Sequence, residues 1–294
     1  MNKIIVSFME DVEKIYYVIK NLCSSISEAD EAGKPTIEIP RGATGSAAGL
    51  PFENWFKESL SGKVDYEVFE RLEFIRYVDK NYLRKKSVNL NELRKNVWWW
   101  EPQQLSEKVI ERIRMGERPK LQQALGDIIV KYGEGLNDIV LINVKATEVG
   151  RDGKPIGRQP NIVSALRLLN FLVDIFTEKI ILKNKINIWL VGFHYLPKEE
   201  NKVQIRNAYF KDLFKLDLER APPINFDAAI QIQWHLNEMV ENQNQTLEDF
   251  AIKLGEKYLK EWKEFMKRRD EKVEKIVKKL KDAIRNMQAQ NKLL

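Results

Sequence analysis

The residues best suited to chemistry stand in and beside one apolar run, Asp138-Ile-Val-Leu-Ile-Asn-Val-Lys145, with Asp127-Ile-Ile-Val130 a short way upstream. Successive side chains of a strand alternate between faces, so Asn143 and Lys145 project together, and a neighbouring strand can bring Asp127 beside them. That grouping suits metal-assisted hydrolysis of a phosphodiester. A carboxylate binds Mg2+, the ion polarises the scissile phosphate and lowers the pKa of a water, and a lysine ammonium orients the nucleophile or neutralises developing charge. The same residue types also fit ordinary polar positions on an edge strand, and this spacing alone does not separate the two.

The elements that must hold these residues follow from periodicity. Ile4, Ile5, Phe8, Met9, Val12, Ile15, Tyr16, Ile19 and Leu22 recur at helical spacing, which predicts an amphipathic helix over 3–22. The small-residue stretch Gly42 to Gly49 superficially resembles a phosphate loop, but no Gly-Lys-Ser/Thr closes it. Pro51 is placed to open a helix carrying Phe52, Trp55, Phe56 and Leu60. Residues 62–120 read as mostly helical and polar, with Trp98, Trp99 and Trp100 as core or interface anchors rather than base-stacking platforms. From Gly126 the character changes. The runs 127–130 and 138–145 are two strands joined by a turn at Gly133 and Gly135. A Gly/Pro-rich loop over 150–160 leads to a helix expected over 161–177, then a third strand over 186–193 and a fourth over 203–210. Helices on both sides of a central sheet make the fold α/β or α+β. The chain reads as a single domain over 1–294, with an N-terminal helical region over 1–120, a sheet core over 121–240 and a long C-terminal helix over 246–290.

Composition limits the alternatives. With Cys23 as the one cysteine and His194 and His235 as the two histidines, there is no material for a Cys/His zinc site, so a metal would be held largely by oxygen. Both histidines read as core or surface residues rather than general bases. The apolar runs fall far short of the roughly 20 residues that span a bilayer, and Glu10 and Asp11 interrupt the segment where a cleavable leader would continue. A soluble, cytoplasmic protein without a membrane partner is expected. The formal charge is +6, and residues 246–294 carry 14 Lys and Arg against 9 Asp and Glu, so the basic excess is C-terminal. A solvated helix face laced with Glu/Lys pairs accounts for it better than a dedicated nucleic-acid patch does, and a Lys/Glu-rich composition also suits a thermophile.

Asp127-X15-Asn143-X-Lys145 is one residue type away from the PD-(D/E)XK nuclease signature. Three further segments extend the resemblance: Gly45-Ser-Ala-Ala-Gly-Leu-Pro-Phe-Glu53, Gln159-Pro-Asn-Ile-Val-Ser-Ala165 and Ile224-Asn-Phe-Asp-Ala-Ala-Ile-Gln-Ile-Gln-Trp-His235. In the same order, they resemble segments of HincII-type restriction endonucleases. Together they frame residues 40 to about 265, with 62–120 and 178–220 poorly matched. The resemblance implies a restriction-endonuclease-like central mixed sheet flanked by helices. It also implies Mg2+, duplex DNA as substrate, a homodimer on a palindromic site, and a companion methyltransferase protecting that site.

By position, the resemblance makes Asp127 the first metal-binding carboxylate, Asn143 the occupant of the second and Lys145 the catalytic lysine; Val144 and Glu53 join the metal set, although Glu53 fits a first-turn helix acid favoured by the macrodipole as well as a supporting metal role. Asn143 departs from the family, which has aspartate there. An amide offers a carbonyl oxygen without charge, so metal affinity and water activation should both fall. Either another acid such as Glu53 or Asp138 compensates, or Asn143 is an isosteric Asp→Asn change that keeps DNA binding and blocks cleavage; the otherwise intact site favours the latter. Pro160-Asn161 corresponds to the family's DNA-entering loop, where asparagine can read adenine bidentately, and Gln159 lies in the same segment. Asn225 matches a second residue near DNA. Arg158 stands where the family has an intercalating glutamine, and Pro223 where it has a tyrosine at the central bases. HincII-type enzymes read GTYRAC, so these departures predict an outer GT…AC reading with relaxed central selectivity. A structure-specific repair nuclease, an inactive DNA-binding protein and an assembly protein built on the C-terminal helix are the competing readings. For Gln231 and Gln233, sequence alone assigns no role.

Overall fold

The computed structural model describes residues 2–40, 46–99, 106–119, 125–156, 161–177, 185–199, 201–226 and 231–291, the side chains of 2–10, 46–47, 161–162 and 282–291 excepted. Its centre is a six-stranded mixed sheet. In chain order the elements begin with helix α1 (Asn2–Glu28), strand β1 (Thr36–Glu38), helix α2 (Ser46–Ser61) and strand β2 (Glu67–Glu70). Helices α3 (Arg71–Val78), α4 (Leu90–Asn96) and α5 (Glu107–Arg114) follow, with a π-helical turn over Asp79–Arg84. Next come strands β3 (Ile128–Lys131), β4 (Ile139–Glu148) and β5 (Asn161–Ser164), then helix α6 (Ala165–Thr177). Strands β6 (Ile188–Glu199), β7 (Lys202–Asp212) and β8 (Gln231–Gln233) lead to helix α7 (Leu247–Asn291). The large sheet runs β1-β7-β6-β4-β3-β2, while β5 and β8 form a separate pair. β4 and β6 are parallel, connected through β5 and α6, and the other pairings in the large sheet are antiparallel.

Alternation along the strands sorts the core into two faces. Val140, Ile142 and Val144 of β4, with Trp189, Val191 and Phe193 of β6, bury against Val12, Ile15 and Ile19 of α1 and Phe52, Phe56 and Leu60 of α2. Ile139 and Leu141, with Ile188 and Leu190, face the opposite way onto Leu168, Phe171, Leu172 and Ile175 of α6 and onto the Trp98–Trp99 pair. Asn143 and Lys145 continue the Ile139–Leu141 row. The core reading of the tryptophans holds for Trp98 and Trp99. Their indole N–H groups donate to the carbonyls of Asn137 (3.0 Å) and Leu136 (2.6 Å), so burial leaves no orphan donor. Trp100 lies outside the described residues.

Three expectations need correction. Residues 62–120 are not simply helical: Glu67–Glu70 is strand β2, at the edge of the large sheet and paired with β3. The helix expected from Asn161 begins at Ala165. Residues 161–164 pair with β8, and the Ser164 hydroxyl then accepts the Arg167 N–H at the helix start. Finally, Pro51 lies inside α2 rather than opening it, because the helix already begins at Ser46. The proline removes one donor near the first turns, and burial of Phe52, Phe56 and Leu60 outweighs that loss.

The long C-terminal helix is present. Thr246 and Asp249 cap it reciprocally: the Asp249 N–H donates to the Thr246 hydroxyl and the Thr246 N–H to the Asp249 carboxylate. Phe250 and Leu254 are buried, and Phe226 packs on Tyr258, Trp262 and Phe265. From Met266 to Lys281 every residue is exposed. Among the described residues, no helix is long and apolar enough to cross a membrane.

Candidate active site

Gly126 determines how Asp127 enters the sheet. A Cβ at this glycine would stand 2.8 Å from Leu141 Cβ and 3.2 Å from the Ile142 nitrogen, so only glycine lets the chain approach β4 this closely. The Asp127 N–H then donates to the Ile142 carbonyl at 2.8 Å. This pins the backbone next to the carboxylate. Asp127 Oδ2 accepts two hydrogen bonds from β4, one from the Val144 N–H at 2.9 Å and one from Lys145 Nζ at 3.1 Å. The Lys145 ammonium also donates to the Val144 carbonyl at 3.0 Å. Lys145 and Asp127 retain 22% and 18% side-chain exposure, enough for a substrate oxygen to reach them. Asn143 is 2% exposed.

Glu53 reaches this corner from α2. Its carboxyl is pushed up to about 7, first by burial, then by the negative charge of Asp127; the Lys145 ammonium acts against the rise and Glu70 adds to it. Near neutral pH Glu53 therefore exchanges a proton readily. Glu70 stands at the N-terminus of α3, where its backbone N–H donates to Glu73, whose carboxylate also binds Lys57 at 2.5 Å. The neighbouring Arg71 donates to the Gly126 carbonyl at 2.9 Å. Glu70 and Arg71 were not foreseen from the sequence because Glu70 ends the unexpected edge strand β2 and Arg71 opens α3 directly after it, and no local motif marks them.

Sequence and structure agree on bringing together Asp127, Lys145, Val144 and Glu53. The Val144 side chain is buried on the far face, so its contribution is the backbone carbonyl. Asp138 is not at this corner. It sits in the turn at the opposite end of the β3–β4 hairpin, where its carboxylate accepts the Gly135 N–H at 2.7 Å. Compensation by Asp138 is thereby ruled out.

The donors available to a metal are all oxygens: the Asp127 carboxylate, the Val144 carbonyl and the Asn143 amide, with Glu53 alongside. Among the described residues no group of three or more His, Cys, Asp or Glu could hold a metal ion. The Lys145 ammonium lodged between Asp127 and Val144 shows that these oxygens are disposed around positive charge. The set fits a hard divalent cation such as Mg2+, with less anionic charge than two carboxylates would provide.

The two histidines lie elsewhere, as expected. His194, pushed down to about 4 by burial and then by His235, pairs its Nδ1 with the Tyr209 hydroxyl at 3.3 Å; burial also lowers His235.

A second polar group surrounds β8. Asn161 is in backbone register with Gln233, and Asn225 and Gln231 exchange both backbone hydrogen bonds, at 2.9 and 3.0 Å. The Asn225 side chain donates to Gln233 Oε1 at 2.8 Å, and Gln233 Nε2 donates to Gln231 Oε1 at 2.9 Å. The segments of Asn161 and Asn225 are thus brought together by glutamines to which sequence assigned no role. The alternation Gln231-Ile232-Gln233, with Ile232 fully buried, was their only signal. Pro223 is exposed beside Asn225. Arg158 and Gln159 lie outside the described residues.

No curated protein matches this sequence. Among solved structures, the NlaIV restriction endonuclease is similar at 12% sequence identity, covering 81% of this chain and 78% of that one, with a TM-score of 0.35. The model of the family "Restriction endonuclease HincII" matches residues 32–284, a span that contains the Asp127–Lys145 corner and the β5–β8 pair alike. The chain belongs to the HincII restriction endonuclease family.

Proposed function

We propose that this protein is a type II restriction endonuclease that hydrolyses duplex DNA at a short palindromic site of the GT…AC kind, using Mg2+ and acting as a homodimer. A two-fold site calls for a two-fold protein. A companion methyltransferase and a cytoplasmic setting belong to the same reading. The observation that carries it is the Lys145 ammonium held between the Asp127 carboxylate and the Val144 carbonyl on adjacent strands, in a chain of this family.

The chain's own residues divide the work. Lys145 directs its ammonium at the attacking oxygen or at the charge developing on the phosphate. Asp127, anchored by the Val144 N–H, keeps that ammonium in place. Glu53, with its carboxyl near 7, accepts a proton at neutral pH. Asp127, Asn143 and the Val144 carbonyl, with Glu53 beside them, would hold Mg2+, which when bound would supply Lewis-acid charge against the scissile phosphate. On the DNA-reading side, Asn225 and Asn161 address base edges in the major groove, flanked by Arg158 and Gln159.

Asn143 favours a second reading, a catalytically dead, sequence-specific DNA-binding protein in which Asn143 is native and its affinity serves recognition alone, so that a restored carboxylate brings back no cleavage. Restoring aspartate in Asn143→Asp and mapping cut ends on a randomised duplex library with Mg2+ separates the two. Ends gathered within one palindrome support the endonuclease. An Asn143→Asp protein that selects a site and never cuts it supports the second reading.

A further inference from the structure

Beyond Met266 helix α7 leaves the body of the protein, yet its exposed surface is not uniformly polar. Val273, Val277 and Leu280 are 57%, 41% and 58% exposed. Their spacing is regular. Positions 273, 277, 280, 284 and 287, all apolar, alternate steps of four and three residues. With Met266, Val273, Leu280 and Met287 as the d positions of a heptad, Asp270, Val277, Ile284 and Asn291 take the a positions. Over 266–288 the b, c and f positions carry only charged residues and Asn286. A helix draws most of its stability from burying its apolar face, so a narrow seam on an otherwise charged helix calls for a second helix to cover it.

The seam is complementary to itself. Laid antiparallel on a second α7, with the two-fold axis between positions 278 and 279, each a position meets a d position of the other copy. Position 277 meets 280, 273 meets 284, 270 meets 287 and 266 meets 291. Glu274 at e then meets Lys281 of the second copy, and Ile276 at g meets Ala283. A parallel pair would also offer one charge match, Arg269 with Glu274, so the flanks do not choose between orientations. The seam does. Parallel pairing sets Asp270 against its own counterpart, like charge on like charge in a layer shielded from water, whereas antiparallel pairing sets it against Met287 near the end of the seam.

We infer that the exposed part of α7 is an assembly arm that pairs with the same helix of a second copy, as an antiparallel two-stranded coiled coil over 266–291. The two bodies then stand at opposite ends of a coil about 40 Å long. This contact is therefore separate from the body-to-body dimer of the endonuclease reading, and neither depends on the other.

The test is disulfide trapping in the full-length protein without DNA. The unchanged protein, whose Cys23 is 3% exposed, serves as the background. Val273→Cys and Ile284→Cys proteins with different affinity tags are mixed and oxidised. The mixed disulfide should exceed either self-linked product by about tenfold or more, because each cysteine lies about 16 Å along the coil from its own counterpart, too far for a disulfide. Adding Leu280→Asp to both proteins should lower the mixed product by about tenfold, since it places a carboxylate in the apolar seam. Lys275→Cys, on the outer face of the heptad, replaces Val273→Cys as the control and should give only the product of random collision. Position 273 and position 280 are exposed, so these substitutions leave the body folded. Self-linked products without the mixed one overturn the antiparallel pairing. A mixed product no more abundant from Val273→Cys than from Lys275→Cys overturns the arm altogether, and in both cases the endonuclease reading stands.

Discussion

Around Asp127, ionisable groups crowd into one corner, where burial and the Asp127 charge raise the Glu53 carboxyl and Lys145 holds it back. Around Gln233 the groups are neutral amides, joined to one another by hydrogen bonds. Charge acts over several ångströms and tolerates small displacements, so it suits a site that must meet a metal ion, a water and a phosphate in turn. An amide has no net charge to shift but has two unlike edges, so it suits a site that must distinguish one base edge from another. The difference suggests that chemistry and recognition can be perturbed separately.

The largest expected effect concerns what carries the charged corner. Phe52 is 1% exposed and packs beside Phe193 and Tyr195, one residue before Glu53. Phe52→Ala should cost about 3–5 kcal/mol in urea unfolding, typical for emptying a buried aromatic site. A cost below about 1 kcal/mol would mean that α2 is not anchored this way. Next in size is Lys145. In an Asn143→Asp background, Lys145→Met should lower cleavage on the order of 100-fold or more while leaving the selected sequence unchanged. A change of preferred sequence would break the separation between the two regions.

A smaller, pH-dependent effect comes from Glu53. Its folded pKa of about 7 exceeds the ordinary 4.5, so the folded protein holds a proton that the unfolded chain has lost between these values. The associated stability is present below pH 4.5 and is lost as pH rises through about 7. A divalent cation needs the carboxylate, so its affinity should rise with pH, by up to about tenfold per unit below that pKa, and level off above it. Mn2+ titrations at several pH values check this, and Glu53→Gln should flatten the profile. The smallest effect is expected at the C-terminus, where ten Lys and Arg stand against four Asp and Glu over 267–294. Helix α7 is exposed from Met266 to Lys281 and projects on the order of 40 Å beyond Met266. Ending the chain after Met266 should change stability by no more than about 1 kcal/mol and weaken binding to all duplexes alike. A change in sequence preference would bring this helix into recognition.

Much of the charged corner was legible because its residues lie in strands whose apolar alternation sets the face of Asn143 and Lys145 without reference to the rest of the molecule. Its surroundings were not. Glu67-Val-Phe-Glu70 is too short and too charged to announce a strand, and pairing with β3 makes it one. Glu70 and Arg71 arrive at Asp127 only through that pairing. Asp138 misled for the opposite reason: it is close in sequence to Asn143 but lies at the other end of the hairpin. Local rules failed at Pro51 and Asn161, where core packing of α2 and pairing of β5 with β8 decided the outcome. The amide chain around Gln233 joins residues from β8 to a segment upstream of it, and no spacing along the sequence encodes which amide donates to which.

The central claim is that the corner around Asp127 and Lys145 is a nuclease site weakened by the missing charge at Asn143. Its most direct test is a Mg2+ titration of duplex cleavage, with the unchanged protein and Asn143→Asp compared side by side on the selected palindrome. Asn143→Asp should cleave at lower Mg2+ and on the order of 100-fold faster at a fixed subsaturating concentration, as a restored charged ligand should allow. Superimposable titrations, or no cleavage by Asn143→Asp at any Mg2+ concentration, would contradict it.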